Sequence, residues 1–144
     1  MWEKAKEVKF SQGYTSPAPR DFVGQYPLEA QEALAIYDYI ISNNFSLLLT
    51  FHTQGEVIYW KFLDYVPPNA EFIAQELSNS SGYLLENVPY ASSFAGLKDW
   101  FIEQYNLPGF TIEAGLGINP LPISQFDRIY NDCLGILVLG AYLA

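Results

Sequence analysis

Phe45-Ser46-Leu47-Leu48-Leu49-Thr50-Phe51-His52 is the stretch whose reading decides the fold. Seven residues without a charge, at strand length, are what a sheet covered on both faces requires. His52 stands at the C-terminal end of the run, followed by Thr53-Gln54-Gly55. Open α/β sheets receive ligands just outside the carboxyl ends of their strands, so that place suits a functional side chain. Upstream, from Leu28, the pattern turns helical: Leu34, Tyr37, Ile40 and Ile41 recur at helical spacing, and Asn43-Asn44 is a stop. Downstream, Val57-Ile58-Tyr59-Trp60 reads as a second short strand or a loop edge.

The same alternation continues to the end. After Pro67-Pro68, Phe72, Ile73 and Leu77 mark a helix ending near Asn79-Ser80, and Tyr83-Leu84-Leu85 a short strand. Ala95 to Gln104 can form a further helix. Pro108-Gly109 turns the chain into Phe110-Thr111-Ile112-Glu113-Ala114, where Phe110 and Ile112 share one face and Thr111 and Glu113 the other. A long apolar helix from about Ser124 to Leu143 closes the chain, with Ser124 as its N-cap and Asp127 at N3. Residues 1–27, with Gly13, Pro17, Pro19, Gly24 and Pro27, read as an irregular lead-in. Strands alternating with helices predict an α/β layer fold.

Composition removes several functions. The chain has 144 residues, half of them hydrophobic and 16% charged, which rules out a disordered tail. Seven basic against 16 acidic residues give a net charge of −9, so phosphate backbones and anionic membranes are poor partners. With one Cys and one His, neither a disulfide nor a Cys/His zinc cluster can form within the chain. Residues 1–7 lack the apolar segment of a signal peptide, and Cys133 to Ala144 is too short an apolar run to span a bilayer. Cys133 itself, among Leu134, Ile136 and Leu137, reads as an inert core thiol.

Two residues stand out chemically. His52 is either a loop-binding imidazole or a functional one at a strand end. Glu113 lies in an otherwise apolar strand, where a carboxylate is costly unless it is paired, near a metal or at the open end. The plainer reading of Glu113 is a strand-edge side chain facing water. Gly115-x-Gly117 lacks the third glycine of a dinucleotide fingerprint and reads as a turn. Asp99-Trp100 reads first as part of a packed helix.

Taken in order, Phe51-His52-Thr53-Gln54-Gly55, Lys98-Asp99-Trp100 and Phe110-Thr111-Ile112-Glu113-Ala114-Gly115 resemble the C-terminal half of the zinc carboxypeptidase superfamily. The likeness is greatest to its bacterial γ-D-glutamyl-L-diamino acid endopeptidases. Ser16-Pro17-Ala18-Pro19-Arg20-Asp21-Phe22, residues 95–102 and Asn119-Pro120-Leu121-Pro122-Ile123 also have parallels there. The resemblance implies a three-layer α/β/α sandwich around a mixed sheet, with residues 1–144 as the C-terminal half of the catalytic domain. It implies that His52 is a zinc ligand and Glu113 the catalytic base, and that Thr53 and Thr111 line the substrate side. Tyr90 matches the family's substrate-loop tyrosine, though its spacing to Asp99 is one residue longer than the pattern.

The departure is as informative. The family's first two zinc ligands lie on an upstream His-x-x-Glu segment, and this chain has no histidine before His52. The expectation is therefore a fragment of a zinc metallopeptidase, inactive alone and binding zinc weakly. Its parent acts on a peptide or muropeptide, in the cytoplasm or at the cell wall. The rival reading is a non-catalytic module of the same fold that binds a peptide or carboxylate. A half-sheet should also expose an edge through which the chain self-associates.

Overall fold

The computed structural model describes residues 1–144, which divide into two compact units. The first comprises residues 1–45 and 89–96, the second residues 46–88 and 97–144.

The first unit opens with α1 (Trp2–Ser11), where the sequence suggested an irregular lead-in. Ala5, Val8 and Lys9 form its buried stripe, Glu3 lies in its first turn and Lys9 in its last, each favourable to the helix dipole. Two long-range contacts secure it: Trp2 Nε1 donates to the Val23 carbonyl at 2.8 Å, and Lys9 Nζ meets Asp21 Oδ1 at 2.5 Å. Residues 12–30 contain no regular element. The second helix, α2 (Gln31–Ile41), starts three residues later than its apolar pattern, because Leu28 has a left-handed φ of 58°.

The second unit carries the sheet. Its strands are β1 (Leu48–His52), β2 (Val57–Tyr59), β3 (Leu84–Glu86) and β4 (Gly109–Glu113), in the order β1-β4-β2-β3. β1 runs parallel to β4, β2 antiparallel to β4, and β3 parallel to β2, so the sheet is mixed. β4 is central, and its alternation is as expected: Phe110 and Ile112 are fully buried, Thr111 and Glu113 half-buried. β1 is not covered on both faces. It is an edge strand with Leu48 to Thr50 half-buried and Phe51 and His52 exposed, since this chain supplies a neighbour on one side only.

One face of the sheet packs on α3 (Ala70–Ser81) and α5 (Phe126–Leu143). Ile58, Phe110 and Ile112 from the strands meet Ile73, Ala74 and Leu77 of α3 and Ile136 of α5 in the main core. Gly140 lets α5 approach the sheet, since a Cβ there would stand 2.7 Å from Leu49 Cδ1. The other face receives α4 (Leu97–Tyr105) at one end only. Gly109 faces that side, and a Cβ on it would lie 3.3 Å from Ile102 and 3.5 Å from Phe101. Helix, sheet and helix form the three expected layers. The last helix begins later than anticipated: Ser124 belongs to a 3-10 turn (Ile123–Gln125) and does not cap it, and Asp127 falls in the first turn after Gln125. No helix is long and apolar enough to cross a membrane.

Candidate functional site

Parity along the strands decides which side chains meet. The register pairs Thr50 with Thr111 and His52 with Glu113, so these four share the sheet face on which α4 packs. Because α4 covers the Gly109 end, the opposite end, at the carboxyl termini of the parallel pair β1 and β4, carries His52 and Glu113. They stand on neighbouring strands whose backbones are about 4.8 Å apart. Burial pushes the Glu113 carboxyl above its usual range, and the nearby His52 imidazole pulls it back down. A carboxylate whose proton affinity is raised in this way, beside an imidazole, can accept a proton and return it.

The backbone fixes both residues. The Ala114 amide donates to the His52 carbonyl at 2.8 Å, extending the β1–β4 ladder by one bond, and the Gly55 amide donates to the Gly115 carbonyl at 2.8 Å. Asn119 clamps the loop after His52: Thr53 Oγ1 meets Asn119 Oδ1 at 3.0 Å, and Asn119 Nδ2 donates to the Thr53 carbonyl at 3.2 Å. Gln125 performs a similar service for the next loop, bonding the Leu116 amide at 3.0 Å and its carbonyl at 2.7 Å. Farther out, Glu56 meets Arg128 of α5 at 2.7 Å, and Tyr83 Oη reaches Asp132 at 3.2 Å. The loops that follow β1 and β4 are therefore tied to each other and to α5.

The expected residues fare differently. His52, Thr53, Thr111 and Glu113 are grouped by the sheet and its first loop. The Thr53 hydroxyl is engaged by Asn119, and Thr111 shares a 3.1 Å hydrogen bond with Thr50, whose hydroxyl also reaches the Phe110 carbonyl at 3.0 Å. Tyr90 belongs to the first unit, where it stands in a 3-10 turn (Tyr90–Ser92), exposed and edge-on to Phe94 at 5.2 Å. Asp99 is buried in the first turn of α4, paired at 2.6 Å with Lys98, whose Nζ also donates to the Lys61 carbonyl. That is the packed-helix reading of Asp99-Trp100. Gly115 and Gly117 both have left-handed φ, as a turn requires. Burial and nearby Asp132 push the Cys133 thiol up, away from reactivity.

Sequence reasoning missed Thr50, Tyr59, Glu86 and Asn119. The two-residue spacing of Thr50 from His52 was a usable signal, while Tyr59 and Glu86 join the face only through strand order. Tyr59 lies opposite Thr111 on one side and Glu86 on the other. Its phenol is pushed up by burial and by the Glu86 and Glu113 carboxylates.

The donor set does not fit a complete zinc site. No group of three or more His, Cys, Asp or Glu side chains comes together anywhere in the chain, whereas a catalytic zinc needs about three protein ligands. One imidazole beside one carboxylate is fewer donors than that.

No family model matches the chain. Over 137 residues it is 48% identical to gamma-D-glutamyl-L-diamino acid endopeptidase 1 of Lysinibacillus sphaericus, covering 95% of this chain and 34% of that protein. It is 42% identical over 137 residues to the uncharacterized protein YqgT of Bacillus subtilis strain 168, covering 95% of this chain and 35% of that one. The chain thus spans about a third of the length of the curated relatives it matches. Among solved structures, carboxypeptidase A from Helicoverpa armigera superposes with a TM-score of 0.68 at 18% identity, over 89% of this chain and 38% of that one. Over nearly its whole length this chain is similar to part of a γ-D-glutamyl-L-diamino acid endopeptidase, and it has the fold of carboxypeptidase A.

Proposed function

We propose that the chain contributes His52 and Glu113 to the active site of a metallopeptidase that cleaves γ-D-glutamyl-diamino acid bonds in muropeptides. The supporting observation is the His52–Glu113 pair on one sheet face at the open end of two parallel strands, in a chain 48% identical to part of such an endopeptidase. His52 is one zinc ligand; the others come from residues outside these 144. Glu113 accepts a proton from the attacking water as its oxygen bonds the scissile carbonyl carbon. It then returns that proton to the amine nitrogen as the carbon–nitrogen bond breaks. Thr111 flanks this step on the same face. Tyr90, by likeness to the family's loop tyrosine, is a substrate contact. By itself the chain is inactive and holds zinc weakly.

The second reading, a module that binds peptide or carboxylate without cleaving it, draws on the incomplete donor set. A chimera separates the two. These residues replace the matching third of the Lysinibacillus endopeptidase, and hydrolysis of γ-D-glutamyl-L-lysine is followed. A folded, active chimera whose Glu113→Gln variant keeps its zinc and loses at least about 100-fold in turnover supports the peptidase. A folded chimera that binds the dipeptide without hydrolysing it supports the module, and undiminished turnover by Glu113→Gln removes Glu113 from the mechanism.

A further inference from the structure

The candidate site continues across the sheet beyond the residues that carry the chemistry. Thr111 on β4, Tyr59 on β2 and Glu86 on β3 are successive cross-strand partners, so they form one row on the face that carries Glu113. Glu113 itself stands opposite Val57, two residues along from that row. Two inter-strand steps and a two-residue offset put the Glu86 backbone about 12 Å from that of Glu113. Extended side chains from both ends, with a substrate side chain between them, span such a gap. Of the ten positions on this face from the four strands, none is Lys or Arg, and Glu86 is exposed and forms no ion pair.

We propose that Glu86, with the Tyr59 ring beside it, recognises the side-chain ammonium of the substrate's diamino acid, an inference that rests on the proposed function. One amino group of a diamino acid is consumed in the scissile bond, and the other is free and cationic at neutral pH. Carboxylate and phenol together suit that cation: the charge is met by Glu86, and the ammonium can lie against the aromatic face of Tyr59. The response of the Tyr59 phenol to both Glu86 and Glu113 agrees with a position between them. Glu86 is thus a specificity residue and takes no part in proton transfer.

The test measures binding to the chain itself by amide chemical-shift titration, with γ-D-glutamyl-L-lysine and γ-D-glutamyl-L-norleucine as probes. The lysine dipeptide should bind about tenfold more tightly than its norleucine counterpart, with shifts reaching His52 and Glu113. Glu86→Gln, at an exposed position on a short strand, should abolish that preference, while Glu71→Gln on the opposite helical layer should preserve it. Equal binding of both dipeptides with shifts at His52 and Glu113 overturns the role of Glu86 and leaves the proposed function standing. An equal loss in Glu71→Gln also overturns it, because net charge alone then explains the preference. Failure of the lysine dipeptide to bind the chain overturns this inference, while the proposed function is decided separately by hydrolysis in the chimera.

Discussion

Replacing Gly115 by Ala tests the loop that follows the Glu113 strand, and Gly82 supplies the control. The two glycines have nearly the same left-handed backbone, φ 74° and 77°. An alanine at either therefore carries the same strain, about 1–2 kcal/mol. Their surroundings differ. Around Gly82, which ends α3, no atom lies within 4 Å of an added Cβ. At Gly115 that Cβ would meet Ile129 Cδ1 and Leu121 Cδ1 at 2.6 Å each and Gln125 Oε1 at 3.1 Å. Overpacking adds about 1–3 kcal/mol. The expected losses are about 1–2 kcal/mol for Gly82→Ala and about 2–5 kcal/mol for Gly115→Ala. Urea denaturation followed by circular dichroism measures both, with an unchanged slope confirming a common unfolding transition. Because the Gly115 carbonyl accepts from Gly55, the amide of Gly55 should also lose hydrogen-exchange protection in Gly115→Ala alone. Equal destabilisation by the two alanines would refute the packing of this loop against Leu121 and Ile129.

Further outcomes follow from single contacts. Asn119→Ala removes two hydrogen bonds to Thr53 and should cost about 1–2 kcal/mol at this exposed site, with faster amide exchange in residues 53–56; unchanged exchange would mean that Asn119 does not hold the loop. Lys98→Met removes the cationic partner from the buried Lys98–Asp99 ion pair and should destabilise by about 3–5 kcal/mol, whereas Lys98→Met with Asp99→Leu should recover most of that loss. Glu113→Gln should stabilise the chain at pH 7. Its carboxyl is held above the usual range, so folding favours the protonated acid, and the contribution of Glu113 is lost as pH rises through that range. Solvent screening keeps the gain below about 1 kcal/mol, and it should vanish below pH ~4, as scanning calorimetry at the two pH values can show. The free edge of β1, with exposed Leu134, Leu137 and Val138 on α5, should make the chain self-associate; a strict monomer by light scattering at high concentration would contradict this.

How much of this could be read from the residues differs by element. The alternation of Phe110 to Glu113 fixed both the strand and the face of each side chain, because a half-buried central strand leaves a two-residue period. The apolar run before His52 gave the strand but not its place. Composition reports what a strand tolerates on its faces, and the edge position of β1 depends on which neighbours this chain provides. The first helix was hidden because its buried stripe is only Ala5, Val8 and Lys9, and its support comes from Val23 and Asp21, more than ten residues away. Ser124 looked like a cap, yet the preceding loop has its own use for Gln125, and the helix starts after it. His52 and Glu113 were two isolated candidates by periodicity; only ordered motifs, and then the parallel register, joined them. Glu86 and Tyr59 were illegible because β3 lies beside β2 and away from β4, an order no local pattern encodes.

In the function proposed above, this chain brings one imidazole and one carboxylate to a peptidase site that it does not complete. Calorimetric titration of the 144-residue chain with zinc, beside an assay of γ-D-glutamyl-L-lysine hydrolysis, tests it most directly. Zinc should bind with a dissociation constant weaker than about micromolar, His52→Ala should lose the residual binding, and no turnover should appear, because one imidazole and one carboxylate fall short of the three ligands a catalytic zinc requires. Submicromolar affinity together with measurable hydrolysis by the chain alone would contradict it.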